Sequence, residues 1–371
     1  MKRMSRTYHA VLRRAAGGLL ALSLLAGLSP WAWAAPEEEP SAGNPSAEVP
    51  AREDPALPEE NVPLTATEDE GRGESLADGP VTLSATEVAY PVTGGNLYFD
   101  TATGEITDCD YDVTAVAIPE IINGVSVASI GSSAFRFCNS LASVTIPKSV
   151  TTIKDYAFFD CNSLTNITIP DSVIFIGESA FGNCFRLTNI AIPDSVTSIG
   201  EDAFSSSTIE NVYITDLTAW CSIDLGNSYS TPLYYGGKLY LNGELLTKLI
   251  IPDSVTSIGK YAFWRCSMTN VTLGRGITDI VEGVFENCRL TSITIPDSVT
   301  SIGRYAFGGC SSLTSVTIPK SMTTIRSDAF EGCRIQRVYI TDLAAWCSID
   351  FGNSYSPPCI MAVSYICTVN G

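Results

Sequence analysis

The sequence predicts a repeat solenoid: a right-handed coil with a parallel β-sheet of about ten short strands on one side and short turns or helices on the other. Ile-Pro pairs recur, mostly at intervals of 22 or 23 residues or twice that. Each pair ends a segment in which apolar and polar residues alternate, as they do on a strand with one buried face. Apolar residues make up 45% of the chain and charged residues 17%, so the repeats can bury a core.

The first 35 residues have the pattern of an export signal. Basic residues precede an apolar run at 15–28, and Ala32-Trp33-Ala34 offers the small-x-small pattern of a cleavage site. The run is shorter than the roughly 20 residues that span a bilayer. We therefore expect a cleaved signal peptide at 1–35, no transmembrane segment, and a protein that is secreted or displayed at the cell surface.

Residues 36–80 are predicted to form an acidic, Pro-rich, disordered linker. They contain 8 Pro, 13 Asp or Glu and 2 Arg, and no aromatic residue. Such a segment repels itself and has little to bury.

The repeat domain is predicted to span 81–371. In one unit, alternation sends Val316 and Ile318 inward and leaves Ser315 and Thr317 in solvent. Pro319 then ends the strand, because proline has no N–H to donate. A lone unit cannot shield these apolar residues, so successive units must stack. Ten such strands are predicted, opening at Val113, Leu141, Leu164, Leu187, Ile209, Leu246, Met268, Leu290, Leu313 and Ile335.

The unit IPxSVTxIGxxAFxxCxxLTxVxIP resembles the BspA-like leucine-rich repeats of bacterial secreted and surface proteins, over about residues 95–355. Its LxxLxL opening and its period are typical of leucine-rich repeats. The resemblance implies a leucine-rich-repeat horseshoe that begins with an amino-terminal hairpin at about 95–110. It also implies adhesion to host extracellular matrix proteins or cells, and it carries no catalytic residues to transfer.

A longer unit recurs at an offset of 126 residues, because 209–230 and 335–356 are identical at 18 of 22 positions. After the first copy, Asn242-Gly243 between two apolar stretches predicts a two-residue hairpin turn. We therefore expect an insertion at about 215–245 that projects a short helix and a hairpin from the edge of the solenoid.

The tail at 357–371 is atypical, because the second copy of the longer unit breaks off there. Codons chosen for 358–365 can be read in an adjacent frame as the run found at 233–239. We hypothesise that the tail is frameshifted, so that Cys359 and Cys367 have no designed role. It should then pack poorly and leave the last turn uncapped, and the nucleotide sequence of the gene tests this.

Seven of the 12 cysteines occupy the same place in successive repeats, and Ser207 stands there in an eighth. Their spacing is not that of a zinc site. One-for-one replacement by serine suits a packed thiol better than a disulfide partner. We therefore expect buried free thiols at these positions and also at Cys221 and Cys347, each of which follows a Trp. The seven are Cys138, Cys161, Cys184, Cys266, Cys288, Cys310 and Cys333.

Asp108, Asp110 and Asp112 alternate like the start of a calcium loop. The places where an EF-hand needs Gly and Glu hold Val113 and Pro119. An exposed turn is the better interpretation, and we expect no metal and no cofactor.

Charge and histidine content exclude several functions. Acidic residues outnumber basic ones 40 to 22, giving a net charge of -18, which argues against a nucleic-acid partner. The only histidine, His9, lies in the predicted signal, so the mature chain has no imidazole for a catalytic triad or a zinc protease site. We therefore expect a protein that is not an enzyme.

Function is expected on the solvent-facing strand positions, which are mostly small, neutral and hydrogen-bonding. Large aromatic and Arg side chains among them would anchor a partner, so the sequence predicts docking of a host, matrix or cell-surface macromolecule. The candidate ligand-binding residues are Tyr213, Lys248, Arg337 and Tyr339, with Tyr234 and Tyr235 of the insertion as a second contact.

A carbohydrate-directed protein is the alternative, either a wall-associated lectin or a His-free glycosidase working through paired carboxylates. An aromatic platform with neighbouring acids would favour it. A purely structural role in a surface layer is a third possibility.

Overall fold

The structure, a computed structural model, describes residues 84–352 and the strand at 364–367. These residues form a parallel β-solenoid of about 11 turns with little helix, which confirms the predicted fold class. The expected signal peptide at 1–35 and linker at 36–80 lie outside the described residues and stay predictions.

An antiparallel cap begins the described chain. It consists of β1 (Glu87–Val92), β2 (Gly95–Asp100) and β3 (Glu105–Cys109), and the β2–β3 pair is the hairpin that the sequence predicts. The side chain of Asp110 accepts hydrogen bonds from the Asn96 amide and from the Tyr98 hydroxyl, each at 2.8–2.9 Å. The Asp110 carboxylate therefore joins the residue after β3 to strand β2.

The interpretation of the alternating aspartates as an exposed turn is wrong for two of the three. Asp108 lies in β3, and Asp110 is half-buried by its partners in the cap; Asp112 alone is exposed. Within residues 84–352, no three His, Cys, Asp or Glu side chains converge in a way that could hold a metal ion.

One side of the coil is a row of short strands, here called the strand row, and all ten predicted strands are in it. Inward positions are buried and outward positions are exposed or half-exposed, as the alternation predicts. Successive strands pair in parallel, in four separate runs. The strands are β4 (Ala115–Ala117), β8 (Ser143–Thr145), β10 (Asn166–Thr168), β12 (Asn189–Ala191), β14 (Asn211–Ile214), β16 (Lys238–Leu241), β18 (Lys248–Ile250), β19 (Asn270–Thr272), β21 (Ser292–Thr294), β23 (Ser315–Ile318), β25 (Arg337–Ile340) and β27 (Ser364–Cys367).

A second row of two-residue strands runs along the next side of the coil, where the sequence predicts only turns or helices. The first strand of this row pairs in parallel with β3, so the cap extends the second row. Away from both rows, β5 (Ile121–Ile122) and β6 (Val125–Ser126) form a small hairpin. The second row contains β7 (Ser129–Ile130), β9 (Thr152–Ile153), β11 (Phe175–Ile176), β13 (Ser198–Ile199), β15 (Asp224–Leu225), β20 (Asp279–Ile280), β22 (Ser301–Ile302), β24 (Thr324–Ile325) and β26 (Asp350–Phe351).

The core contains two columns of stacked phenylalanines, one ring per turn. Successive ring centroids are 5.0–5.8 Å apart, and the planes differ by at most 17°. Offset stacking of this kind adds to the gain from burial. The first column is Phe135, Phe158, Phe181 and Phe204, and the second is Phe263, Phe285, Phe307 and Phe330.

The repeated cysteines are buried beside these columns, as predicted. In five repeats the thiol donates to the carbonyl of the phenylalanine one turn earlier, at 2.9–3.1 Å, and the Ser207 hydroxyl donates in the same way to the Phe181 carbonyl. A hydroxyl can replace the thiol because both donate one hydrogen to the same acceptor. The five pairs are Cys161 to Phe135, Cys184 to Phe158, Cys288 to Phe263, Cys310 to Phe285 and Cys333 to Phe307.

The insertion contains the predicted helix and hairpin, but it does not simply project. Helix α1 (Leu217–Cys221) and a 3-10 turn (Ser228–Ser230) lead into β16, which pairs in parallel with β14 and buries Leu239. Only β17 (Glu244–Leu245) turns back, through Asn242 and Gly243, whose φ angles of 52° and 82° suit a tight hairpin. The insertion is therefore a further turn of the coil.

The second copy of the longer unit contains helix α2 (Leu343–Cys347). Cys221 of the first copy is buried as predicted, but the same prediction for Cys347 is wrong, because Cys347 is exposed. The next turn of the coil covers α1, where the Trp220 indole donates to the Ala262 carbonyl at 3.0 Å. Among the described residues, no such turn covers α2.

The backbone of the tail pairs with the strand row. Residues 364–367 form β27 beside β25, at the same offset of 126 residues from β16 as β25 has from β14. Because β27 pairs with β25, the expectation that the last turn is left uncapped is wrong for the backbone of β25. The frameshift hypothesis stays a prediction.

Candidate ligand-binding face

The solvent-facing side of the strand row, here called the strand face, carries four of the six candidate residues. In β14, Val212 and Ile214 are buried, so Tyr213 points outward. The same alternation in β25 buries Val338 and turns Arg337 and Tyr339 outward. Lys248 is exposed at the start of β18.

Tyr213 has an aromatic partner that the sequence did not predict. Tyr240 of β16 is opposite it in the parallel register, and the two rings stack with centroids 5.0 Å apart. The alternation in Lys-Leu-Tyr-Leu at 238–241 was the signal that could have placed Tyr240 on this face. Tyr240 was not placed there because the insertion was expected to project from the solenoid as a hairpin.

Lys248 borders a shallow cavity of about 440 Å³ on the strand face. Its lining includes the hydroxyl and amide side chains of Asn270, Thr272, Ser292 and Thr294 on neighbouring strands. A second cavity, of about 650 Å³, shares Thr294 and Pro296 with the first and extends to Arg275 and Asp297 at the ends of the strands. The lining is therefore suited to hydrogen bonding with a bound macromolecule.

The structure does not bring all the strand-face candidates together. Tyr213 pairs with Tyr240, whereas Arg337 and Tyr339 share β25, further along the row. Six strand steps separate β14 from β25, which is roughly 29 Å at about 4.8 Å per step. A ligand that contacts both groups must therefore be large.

The strand face is basic although the chain is acidic. Its outward positions from β4 to β25 hold three cations, Lys238, Lys248 and Arg337, and no Asp or Glu. Residues 81–371 hold 27 Asp or Glu and 15 Lys or Arg, so the carboxylates of the repeats lie elsewhere than at these outward positions. The face therefore complements an acidic or neutral partner surface.

Tyr234 and Tyr235 lie elsewhere, in an aromatic cluster formed by Tyr229, Tyr234, Tyr235, Tyr261 and Trp264. The Tyr234 ring lies between Tyr229, at 4.2 Å, and Trp264, at 5.5 Å. Tyr235 meets Tyr234 edge to face at 4.9 Å. Tyr229 and Tyr235 are 40% and 47% exposed, so the cluster presents aromatic surface to solvent.

Acidic side chains border the aromatic cluster. Burial, with the charges of Glu282 and Glu331, raises the pKa of Glu286 to about 8. Burial and the carboxylates of Glu282 and Glu286 raise the pKa of Tyr261 to about 12. The buried indole N–H of Trp264 has no hydrogen-bond partner among the residues that the structure describes. The cluster thus combines aromatic rings with acidic side chains and an indole N–H that is free to donate a hydrogen bond.

This fold and this face define a leucine-rich-repeat protein. The chain belongs to the family described as the BspA type leucine rich repeat region, which matches residues 110–222 and 236–354 in six copies. Proteins of this family are typically secreted or found at the surface, and the fold is typically non-catalytic. In the part of the chain that the structure describes, no helix is long and apolar enough to cross a membrane.

The chain is similar to several solved leucine-rich-repeat structures. A protein from Bacteroides ovatus is 21% identical over 76% of this chain and 81% of that one, with a TM-score of 0.46. A T. pallidum leucine rich repeat protein is 26% identical over 60% and 90%, with a TM-score of 0.37. The pneumococcal vaccine antigen PcpA is 19% identical over 65% and 77%, with a TM-score of 0.40. No curated protein matches the chain.

Proposed function

We propose that this chain is an exported, non-enzymatic adhesion protein whose strand face docks a protein on host cells or in the extracellular matrix. The observation that carries the proposal is the segregation of charge: the outward strand positions hold hydroxyls, amides, cations and tyrosines but no carboxylates. The choice of a host or matrix partner rests on the resemblance of the repeats. The charge of the face favours an acidic patch on that partner.

The strand face also exposes apolar surface at its centre. Ile250 is 67% exposed beside Lys248, and Leu245 of the adjacent hairpin is 40% exposed. Aromatic and Arg side chains at the middle of an interface carry most of its binding energy, and smaller neighbours exclude water. The strand face contains both kinds of residue.

Replacing Tyr213, Arg337 or Tyr339 by alanine is expected to weaken binding by about 1–3 kcal/mol each, because these side chains bring the largest rigid areas and the donor fork to the interface. The ligand is first identified by screening the mature protein against immobilised matrix proteins and glycans. Dissociation constants of each variant for that ligand then test the assignment.

Matched controls are available on another side of the coil. Tyr305→Ala and Arg326→Ala change the same residue types off the strand face, and both should bind like the wild type. Thermal melts verify that all variants fold. Their melting temperatures should stay close to that of the wild type, because solvent-facing substitutions usually change stability by less than about 0.5 kcal/mol. Unchanged affinity in all three face variants would remove the site from this face.

The aromatic cluster favours a second candidate function, binding of a glycan. The C–H face of a pyranose ring packs on an exposed aromatic ring, and its hydroxyls hydrogen-bond to nearby carboxylates. Tyr229 and Tyr235 expose their rings, and Glu282 and Glu286 lie beside Tyr261 of the same cluster. An aromatic platform with acids on the same cluster supports a carbohydrate-directed role.

The two candidates predict different mutational patterns. If the cluster binds sugar, Tyr235→Ala should abolish binding to the glycans of the screen, because it removes the most exposed ring, while Tyr213→Ala should not. Soluble oligosaccharide should compete with the immobilised glycan. Release of new reducing ends would instead indicate a glycosidase. A variant profile confined to Tyr213, Arg337 and Tyr339 would dismiss the glycan site.

A further inference from the structure

The buried contact between the cap and the first repeat involves two cysteines. Cys109 ends β3, and Cys138 is the first of the seven repeat cysteines. Their Sγ atoms are 2.6 Å apart, much closer than the roughly 3.5–4 Å at which non-bonded heavy atoms pack. Both side chains are almost fully buried, with exposed fractions of 4% and 1%.

Cys138 also differs from five of the six repeat cysteines that follow it, Cys266 being the exception. In five later repeats the thiol donates to the carbonyl of a phenylalanine one turn earlier. The turn before Cys138 is the cap, which supplies no such phenylalanine, and the Cys138 sulfur meets the Cys109 sulfur there instead. The packed-thiol arrangement of the array therefore does not extend to its first member.

We propose that Cys109 and Cys138 form a disulfide that joins the amino-terminal cap to the first repeat. Each thiol loses its proton, one bond forms between the two Sγ atoms, and two electrons pass to an oxidant of the disulfide class, such as oxidised glutathione. The S–S bond of the oxidant breaks and takes up both protons, giving two thiols. An exported protein meets such oxidants.

The bond forms before the cap has closed. The Cys138 thiol and burial together raise the pKa of Cys109, so the thiolate that exchange requires is suppressed in the folded cap. In the unfolded chain both thiols are accessible, and oxidation there closes a loop between residues 29 apart in sequence. Folding then shields the bond from reductants.

The disulfide has a structural consequence for the whole array. A solenoid needs its terminal turns covered, because each turn is otherwise shielded only by its neighbours. The β1–β3 cap covers the first turn and pairs with the second row only through the two residues of β7. A covalent link keeps the cap in place when this short pairing opens.

Peptide mapping of the oxidised full-length protein tests the bond directly. The protein is denatured with N-ethylmaleimide, without reductant, and digested with trypsin, which separates residue 109 from residue 138 by cleaving after Arg136. We expect peptides 73–136 and 137–148 as one linked species, lighter than their sum by two hydrogens. The repeat cysteines from Cys161 onward should carry the label. Labelled Cys109 and Cys138, or a link from Cys138 to another cysteine, would overturn the proposal.

A stability measurement on the same protein gives an independent readout. Reductant added during unfolding should lower the melting temperature of the wild type by about 5–10 °C, because the unfolded chain regains the freedom of the loop. Cys109→Ser should be insensitive to reductant, whereas Cys310→Ser, a matched buried thiol, should respond like the wild type. Should Cys109→Ser fail to fold, the wild-type comparison still decides. No shift in the wild type would contradict the proposed role.

Discussion

Replacing Phe285 by alanine is expected to lower the free energy of unfolding by about 3–5 kcal/mol. Its ring is fully buried and lies 5.8 Å from Phe263 and 5.7 Å from Phe307, so removing it leaves a cavity open to two turns. The backbone of each turn is held by hydrogen bonds to its neighbours and cannot collapse freely into the gap. Urea unfolding monitored by circular dichroism measures the loss.

Phe185→Ala is the matched control for the column. The Phe185 side chain is 51% exposed, so its removal should cost less than about 1 kcal/mol. Equal costs at the two positions would show that the phenylalanine column is not the main source of core stability.

The two tryptophans of the recurring 126-residue unit are expected to respond very differently to the same substitution. Trp220 is 2% exposed, and its indole donates to the Ala262 carbonyl at 3.0 Å, so Trp220→Ala should cost about 3–5 kcal/mol. Trp346 has the same neighbours in sequence but is only partly buried. Trp346→Ala should therefore cost less than half as much.

Thermal and chemical unfolding of both variants measure this difference. Each tryptophan follows an alanine and precedes a cysteine on a five-residue helix capped by an aspartate, so helix propensity and capping cancel in the comparison. Similar losses at 220 and 346 would mean that Trp346 is packed as closely as Trp220.

The strand row could be predicted because each strand repeats the same spacing of apolar residues. Leu313, Val316 and Ile318 place apolar groups at fixed intervals, and Pro319 marks where the strand ends. The second row could not be predicted in the same way. A strand of two residues is too short to show alternation, and its identity depends on pairing with the turns before and after it.

The candidate site was predictable where it depends on local alternation. The outward direction of Tyr213 and Tyr339 follows from the buried residues on either side of them in the strand. Tyr240 was missed because its position depends on β16 joining the row beside β14. The separation of Tyr234 from the strand face results from its packing on Trp264, a contact between segments that no local pattern encodes.

The cysteines show the same limit. Replacement by Ser207 correctly indicated that the repeated cysteines are packed in the core, but it did not predict the hydrogen bond that this position donates. Cys109 lies outside the period, so nothing in the repeat pattern linked it to Cys138. Only the structure, in which the two Sγ atoms meet at the boundary between the cap and the first repeat, shows that Cys109 and Cys138 are neighbours.

The gap between the two phenylalanine columns has a consequence for the cooperativity of unfolding. The rings stack continuously from Phe135 to Phe204 and again from Phe263 to Phe330, but the insertion between them supplies no phenylalanine. In a linear array, stability is transmitted by nearest-neighbour interfaces, and the weakest interface divides the chain into separate folding units. Two side chains of the insertion couple the two units: Trp220, which donates to the backbone beside Phe263, and Tyr234, which stacks on Trp264.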